Sequence, residues 1–171
     1  EGAERLEREI VSALQVPPND NSSMDGYAVR CADVRQAGAV LQVTQRIPAG
    51  STGVAMTPGS AARIFTGAPI PPGADAVVMQ EDCELLPGSD QLHVRQVPQP
   101  GQWIRRAGED VTRGATILAA GQRLAPAELG LAASVGMAML QVRCKPRVAL
   151  FSTGDELVMP GDIAPADMQP G

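Results

Sequence analysis

The segment NDNSSMDGYAVR places a carboxylate, Asp25, beside a glycine on a short turn. Asn and Asp side chains next to serines are typical of irregular loops in which side chains bond the nearby backbone. Gly26 has no Cβ, so a ligand or another chain can approach it closely. The segment therefore predicts either a rigid loop that offers Asp25 to a ligand or an ordinary hairpin turn.

A second segment, TGAPIPPGADAVVMQED, joins a proline-rich loop to a short apolar run that ends in acids. Its prolines restrict the backbone, so the loop at Thr66 and Gly67 would lose little entropy on binding. The Thr66 hydroxyl and adjacent N–H groups suit an oxyanion, while Asp75, Glu81 and Asp82 suit a hard cation such as Mg²⁺. The alternative is a β-turn followed by an edge strand.

A third segment, WIRRAGEDV, sets two arginines close to acids. Arg105 and Arg106 are adjacent, so on extended backbone they point to opposite faces. One guanidinium could grip an anion while the other forms a surface ion pair. Asp110 lies close to both in sequence, and a solvated charge cluster is the alternative interpretation.

A fourth segment, LFSTGDELVMPG, ends an apolar run in hydroxyls, glycine and acids. Thr153, Gly154, Asp155 and Glu156 would follow the carboxyl end of a strand, where open α/β sheets bind ligands. The segment lacks GxxxxGK[ST], so it is not a P-loop.

Composition excludes several classes of protein. The 171 residues carry a net charge of −5 with no basic run, which argues against nucleic acid and anionic membranes as partners. Three dispersed cysteines and one histidine argue against a structural zinc site and favour reduced thiols in the cytoplasm. The longest apolar tract, LGLAASVGMAML, is too short to span a bilayer.

Periodicity predicts the elements that hold these segments. AERLEREI has helical patterning with Leu6 and Ile10 on one stripe, and we interpret it as the end of a longer helix. In VLQVTQRI, Leu41, Val43 and Ile47 alternate with polar residues and predict a half-buried strand. ARIF, DAVVMQ and QLHVRQV predict further short strands between turns.

In the last third of the chain, the sequence predicts a helix followed by two strands. RLAPAELGLAASVG predicts a short helix with Pro126 in its first turn and Gly136 after its end. AMLQVR then predicts a strand, and RVALFSTGDEL predicts a continuous, buried strand.

Taken together and in this order, the four segments resemble the molybdopterin molybdenumtransferase family, of the MoeA and gephyrin E-domain type. The resemblance extends from about residue 5 to the last residue and includes GQRLAPAELGLAASVG. It implies a mainly β fold with some α (α+β), built of bifurcated and coiled sheets with an inserted β-rich domain. Domain I would comprise 1–17 and 108–146, domain II 18–107, and a truncated α/β domain III would start within 147–171.

The resemblance also implies an activity. The full-length protein would insert molybdate into adenylylated molybdopterin with Mg²⁺, which gives molybdenum cofactor and AMP. It would be a cytoplasmic homodimer that meets its pterin substrate and the molybdopterin adenylyltransferase. This chain alone would be inactive, because most of the pterin pocket would lie in later domains.

The family's functional residues are carried over onto matching positions. The implied catalytic residues are Asp25, Thr66, Arg105, Asp110 and Glu156. The substrate-binding candidates in the same motifs are Gly26, Gly67, Arg106, Thr153, Gly154 and Asp155. Asp25, Asp110 and Glu156 would bind or orient Mg²⁺, and Arg105 with the Thr66 loop would hold anionic oxygens as charge develops on AMP.

Two positions depart from the family pattern. Asn19 stands where an aromatic residue is usual, and Ala107 stands where a basic residue is frequent.

Two other functions stay open: a dimerising scaffold without catalysis, and a generic Mg²⁺ phosphohydrolase.

Overall fold

The architecture is taken from a computed structural model, which describes residues 4–151 and 153. Within these residues, ten strands and one α-helix follow one another along the chain. Short 3-10 turns span Cys31–Asp33 and Gln80–Asp82. The strands and helix are β1 Ile10–Val11, β2 Asn21–Ser22, β3 Gly26–Val29, β4 Ala39–Ile47, β5 Ser60–Ile64, β6 Ala76–Met79, β7 Cys83–Leu85, β8 Gln91–Val94, β9 Ile104–Arg105, β10 Thr116–Leu118 and α1 Pro126–Ser134.

The largest unit is a six-stranded sheet in the order β6-β3-β5-β4-β8-β7. The β4–β5 pair is parallel, and the other pairs are antiparallel. Two small sheets, β2-β9 and β1-β10, accompany it. A mainly β chain with one described helix confirms the α+β prediction.

The six-stranded sheet is buried on both faces. Successive residues of its strands point to opposite sides, so neighbours such as Ala61 and Ala62 enter different clusters. One cluster includes Val29, Leu41, Ala61, Val78 and Leu92, and the other includes Ala28, Ile47, Ala62, Ile64 and Val77. The core therefore consists of small and branched side chains above and below β3 and β5.

Strand β4 was predicted from alternation and is present, but it is not regular. Its register against β5 shifts between Val43 and Gln45, which pair with successive residues of β5. The extra residue of such a bulge reverses the faces beyond it. Leu41 consequently packs in the first cluster and Ile47 in the second, although alternation predicted one buried face.

The predicted N-terminal helix is wrong. Arg5 and Leu6 form antiparallel bridges with Arg123 and Val142, and β1 pairs with β10. Leu6 is fully buried, and its N–H donates to the Gln122 carbonyl at 2.9 Å. Pairing with distant segments therefore outweighs the helical propensity of this sequence.

The predicted helix after residue 122 is confirmed as α1. It begins at Pro126, and the Glu128 carboxylate accepts from the Ala125 N–H at 3.0 Å, which satisfies one donor at the helix start. Gly136 follows the helix with φ of 84°, in the left-handed region that favours glycine.

The two strands predicted after α1 are not observed. In 137–143 only Val142 forms a bridge, and 147–151 contains no strand. Val148 and Phe151 are each 81% exposed, and Leu150 is 93% exposed. A strand requires a partner for its backbone groups, and no described segment pairs with 147–151.

The predicted domain division stays a prediction. Segments 4–16 and 111–142 pair with each other, whereas the six-stranded sheet uses residues 26–94. Across the described residues, no helix has the length and apolar character needed to cross a membrane.

Candidate functional site

Asp25 and Thr66 are in direct contact. Asp25 Oδ1 accepts the backbone N–H of Thr66 at 2.8 Å and the Thr66 hydroxyl at 2.9 Å. These two bonds, the backbone one first, lower the pKa of the Asp25 carboxyl below its usual value, and the charge of Arg63 adds to the effect. Both residues are exposed, so an ionised carboxylate is fixed at the surface beside a hydroxyl.

The fold brings this pair together because β3 and β5 are neighbours. Asp25 precedes β3 and Thr66 follows β5, and the antiparallel register pairs Gly26 with Ile64. The Gln80 N–H also donates to the Asp25 carbonyl at 3.1 Å, which fixes the backbone from the side of β6. Two motifs that are 41 positions apart in the sequence thus form one local structure.

Strand β2 joins the second motif to the third. On one side, the Ser22 N–H donates to Ala68 O at 2.9 Å and the Gly67 N–H donates to Ser22 O at 2.8 Å. On the other side, β2 pairs with β9, so Asn21 lies opposite Arg105. Three of the four predicted motifs therefore pack side by side.

Trp103 reinforces this junction and was missed by the sequence reasoning. Its backbone has φ of 56°, which non-glycine residues rarely adopt. Its carbonyl accepts both the N–H and the hydroxyl of Ser23 at 3.0 Å. The loop that ends at Asp25 is thus tied to the arginine motif through the backbone.

Both arginines of the third motif are engaged by acids. Arg105 Nη2 donates to Asp110 Oδ1 and Oδ2 at 2.6 and 2.7 Å, and Arg105 Nε lies 3.7 Å from Glu109 Oε1. Arg106 Nη1 donates to Asp20 Oδ2 at 2.6 Å. Arg105 and Arg106 reach different acids, as expected for adjacent residues on extended backbone.

Asp20 is an acid whose contacts the sequence did not reveal. Its Oδ1 accepts the Ala107 N–H at 2.8 Å, and its Oδ2 accepts from Arg106. The Ala107 bond, followed by the Arg106 bond, lowers the pKa of the Asp20 carboxyl. Asp20 therefore links the start of β2 to the arginine motif.

A cavity of about 370 Å³ opens beside Asp20, at the start of β2. Its lining includes Asn19, Thr52, Pro69 and Ile70. Asp25 lies beyond the other end of β2, so the cavity and the Asp25–Thr66 pair are two separate features of the same junction.

Gly26 is required where it stands because the neighbouring strand leaves no room for a side chain. A Cβ built on Gly26 would lie 2.0 Å from the Val78 carbonyl oxygen on β6. The close approach at Gly26 is therefore made by a neighbouring strand of the same chain, and not by the ligand or second chain that the sequence suggested. A substrate contact at Gly26 stays a prediction.

Two cysteines are poor candidates for a nucleophile. Burial raises the pKa of the Cys83 thiol to about 12. Burial, with a contribution from Asp75, raises the pKa of Cys31 to about 12 as well. Both thiols stay protonated near neutral pH, where a thiolate is needed for attack.

A family model places these motifs in a known group of proteins. The model of the MoeA N-terminal region (domain I and II) matches residues 3–136. The chain belongs to the MoeA family. The match covers Asp25, Thr66, Arg105, Arg106 and Asp110.

Members of the MoeA family with curated names are close in sequence. Molybdopterin molybdenumtransferase 2 from Mycobacterium tuberculosis is 45% identical over 168 residues, which is 95% of this chain and 40% of that protein. Molybdopterin molybdenumtransferase from Haemophilus influenzae is 44% identical over 163 residues, 94% of this chain and 40% of that protein. The chain thus spans 40% of the length of these two relatives.

A solved MoeA structure has the same fold. The molybdopterin biosynthesis MoeA protein from Pyrococcus horikoshii superposes with a TM-score of 0.79 at 35% identity. The superposition covers 84% of this chain and 39% of the solved chain.

Of the predicted site residues after Asp110, the structure describes only Thr153. Thr153 is exposed, and the predictions for Gly154, Asp155 and Glu156 lie outside the described residues. No group of three metal-binding side chains occurs in the part of the chain that the structure describes.

The acids differ in how well they suit Mg²⁺. Both oxygens of Asp110 accept from the Arg105 guanidinium, so a metal ion there would compete with that cation. Asp25 uses only Oδ1 in its bonds to Thr66, and its Oδ2 has no hydrogen-bond donor among the described residues. Because Mg²⁺ usually takes one or two carboxylates together with substrate phosphates, Asp25 fits it and Asp110 fits it less well.

Proposed function

We propose that the chain is the N-terminal part of a molybdopterin molybdenumtransferase. The complete protein would insert molybdate into the dithiolene of adenylylated molybdopterin in an Mg²⁺-dependent reaction that releases AMP. The names of the two curated relatives support this assignment. The observation that carries it is the exposed Asp25 carboxylate, held through Oδ1 against Thr66 while its Oδ2 has no hydrogen-bond donor among the described residues.

In this proposal Asp25 contributes one oxygen to Mg²⁺, with Glu156 as a further ligand. The metal, when bound, would neutralise phosphate oxygens of the adenylylated substrate. Thr66 holds Asp25 Oδ1, so the carboxylate is oriented before substrate arrives and little reorganisation is needed. Gly67 follows Thr66 with φ of 81°, and an added Cβ there would meet no atom within 4 Å. The loop surface at Gly67 is therefore open to a substrate.

The arginines would act by exchanging partners. Arg105 has Asp110 as partner, and Arg106 has Asp20. Both pairs are largely exposed, and such ion pairs contribute little to stability. An incoming phosphate or molybdate can therefore take over one guanidinium at small cost, while Asp110 is freed to orient the metal.

The rest of the proposal concerns the complete protein. It would be a cytoplasmic homodimer that receives its substrate from the molybdopterin adenylyltransferase. The chain by itself would not turn over. The length of the two relatives, of which it spans 40%, supports this view.

The test uses the full-length protein and follows molybdate-dependent AMP release from adenylylated molybdopterin. Asp25→Asn is the informative variant, because its amide oxygen can still accept from Thr66 while the negative charge is lost. Asp90→Asn is the matched control, an exposed acid in the turn between β7 and β8. We expect Asp25→Asn to fold, with a melting temperature somewhat below that of the wild type because the lowered pKa of Asp25 stabilises the folded state, and to release AMP about 100-fold more slowly per folded molecule. Asp90→Asn should match the wild type.

Two results would contradict the proposal. A wild-type protein that releases no AMP in the presence of molybdate would remove the assigned reaction. A full rate in Asp25→Asn would remove Asp25 from the mechanism while leaving the reaction in place.

A further inference from the structure

Arg63 on β5 contacts residues next to both members of the Asp25–Thr66 pair. Its Nη1 donates to the Gly26 carbonyl at 2.8 Å and more weakly to the Ile64 carbonyl at 3.4 Å. Its Nη2 donates to Gln80 Oε1 at 2.6 Å. The side chain is half-buried, so its conformation is determined by packing as well as by these bonds.

The Arg63 guanidinium also lies against two aromatic rings. It lies 5.2 Å from the centroid of the Tyr27 ring and 4.5 Å from that of the Phe65 ring. Both distances fall within the range in which a cation is attracted to the face of a ring. Tyr27 is also the cross-strand partner of Arg63 in the β3–β5 register.

The residues that Arg63 contacts are neighbours of Asp25 and Thr66 along the chain or in the fold. Gly26 directly follows Asp25, and Phe65 directly precedes Thr66. Gln80, the third partner, donates its own N–H to the Asp25 carbonyl. Arg63 is thus bonded to or stacked on the neighbour of each member of the pair.

We infer that Arg63 is a positioning residue that fixes the relative placement of Asp25 and Thr66. The inference rests on the proposed function, since positioning matters only if the pair takes part in the reaction. Among the described residues, Arg63 forms no salt bridge, so its charge is not assigned to another acid. That charge favours the ionised form of Asp25 without a direct contact.

Arg46 is a natural control for this inference. It is the β4 residue paired with Arg63, and its guanidinium lies 4.6 Å from the centroid of the same Phe65 ring. Among the described residues, Arg46 forms no hydrogen bond to Gly26 or Gln80. Replacing Arg46 therefore removes a stacked cation from this region but leaves the carbonyl and amide contacts of Arg63 intact.

The experiment compares Arg63→Met, Arg63→Lys and Arg46→Met in the full-length protein. Hydrogen exchange is measured on peptides that contain the Thr66 N–H, whose acceptor is Asp25 Oδ1. We expect this amide to exchange at least tenfold faster in Arg63→Met, with Arg63→Lys intermediate, because lysine keeps the charge but loses the forked donor. Arg46→Met should exchange within twofold of the wild type.

Kinetics provide the second readout. If Arg63→Met misplaces the Asp25–Thr66 pair, kcat for AMP release should fall about ten- to a hundredfold, with less effect on KM. This is about the range expected for small displacements in a reacting site. A merely structural Arg63 would instead speed exchange in all six strands of the sheet and leave kcat per folded molecule unchanged. That pattern would overturn the inference, as would wild-type exchange at Thr66 in Arg63→Met.

The outcomes separate the inference from the proposed function. If the wild-type protein releases no AMP, the proposed function fails, yet the exchange data still show whether Arg63 fixes the pair. If Arg63→Met does not fold, Arg63→Lys carries the test, since unchanged exchange and kcat in that variant would contradict a need for the forked donor.

Discussion

Replacing Gly26 with alanine should strongly destabilise the chain, although it adds a single methyl group. Gly26 is buried on β3, opposite Met79 of β6. The added Cβ would lie 2.0 Å from Val78 O and 2.9 Å from the Val78 carbonyl carbon, whereas ordinary contacts begin at 3.4 Å. Because both obstacles are backbone atoms, β3 and β6 would have to separate by about 1.4 Å.

The magnitude follows from that displacement. Overpacking of this kind costs about 1–3 kcal/mol, and a weakened ladder bond adds about 1 kcal/mol. We therefore expect Gly26→Ala to lower the free energy of unfolding by about 3 kcal/mol. For a chain of this size, that corresponds to a melting temperature lower by about 6–12 °C.

Gly130→Ala provides a matched comparison. Gly130 is an exposed residue inside α1, and an added Cβ would meet no atom within 4 Å. Alanine there should raise the free energy of unfolding by about 1 kcal/mol, because glycine is a poor helix former. The same chemical change thus has opposite expected signs at two positions.

The assay is urea unfolding of both variants, followed by circular dichroism and by the fluorescence of Trp103, the single tryptophan. A Gly26→Ala variant within about 0.5 kcal/mol of the wild type would refute the packing argument, since surface substitutions typically stay within that range. If the variant were as stable as the wild type but inactive in the full-length protein, Gly26 would serve substrate access rather than strand packing.

Two further predictions concern the pH dependence of stability and the N-terminal segment. Hydrogen bonds from Ala107 and Arg106 lower the pKa of Asp20 in the folded state. Ionised Asp20 therefore stabilises the fold at pH values above its pKa in the unfolded chain, and this contribution is lost as the pH falls through its pKa in the folded chain. Urea unfolding should therefore show Asp20→Asn to be less stable than the wild type at pH 7, with the difference shrinking steadily below about pH 4; a difference independent of pH would contradict this. Leu6→Ala should cost about 2–5 kcal/mol in the same assay, because Leu6 is fully buried against Ile10 and Leu118. A loss below about 1 kcal/mol would contradict the packing of Leu6 against these residues.

Much of the sheet could be predicted because its strands carry local signals. Short runs such as DAVVMQ and QLHVRQV are bounded by turn residues, and β6 and β8 lie within them. The order β6-β3-β5-β4-β8-β7 could not be predicted, since it depends on pairings between segments far apart in sequence. The N-terminal segment failed for the same reason, because β10 and Gln122 supply hydrogen-bond partners that its own pattern does not reveal.

The irregularity of β4 shows a limit of counting apolar positions. Leu41 and Ile47 lie an even number of positions apart, so period two assigns them to one face. The bulge near Val43 adds one residue, and Ile47 then joins Ile64 on the other face. A bulge changes the pairing partner and not the composition, so the alternation of this segment carried no signal for it.

Arg63 shows the corresponding limit for the candidate site. In sequence it is one arginine in a short strand, and an outward, solvated position is the ordinary expectation. Only the register that sets Tyr27 opposite Arg63 brings its guanidinium over two rings and onto the Gly26 carbonyl. The aromatic residue two positions later, Phe65, was the only local sign of such stacking.

Asp25 and Asp110 also differ in a way that the sequence did not reveal. The family resemblance implied Asp25 and Asp110, together with Glu156, as metal candidates and did not distinguish between them. The structure distinguishes them by their acceptor oxygens: Arg105 occupies both oxygens of Asp110, whereas Thr66 occupies only Oδ1 of Asp25. A carboxylate that is oriented through one oxygen and open at the other can bind a ligand without losing its support. We therefore expect substitutions at Asp25 to impair the proposed reaction more than substitutions at Asp110, whose partner must first be displaced.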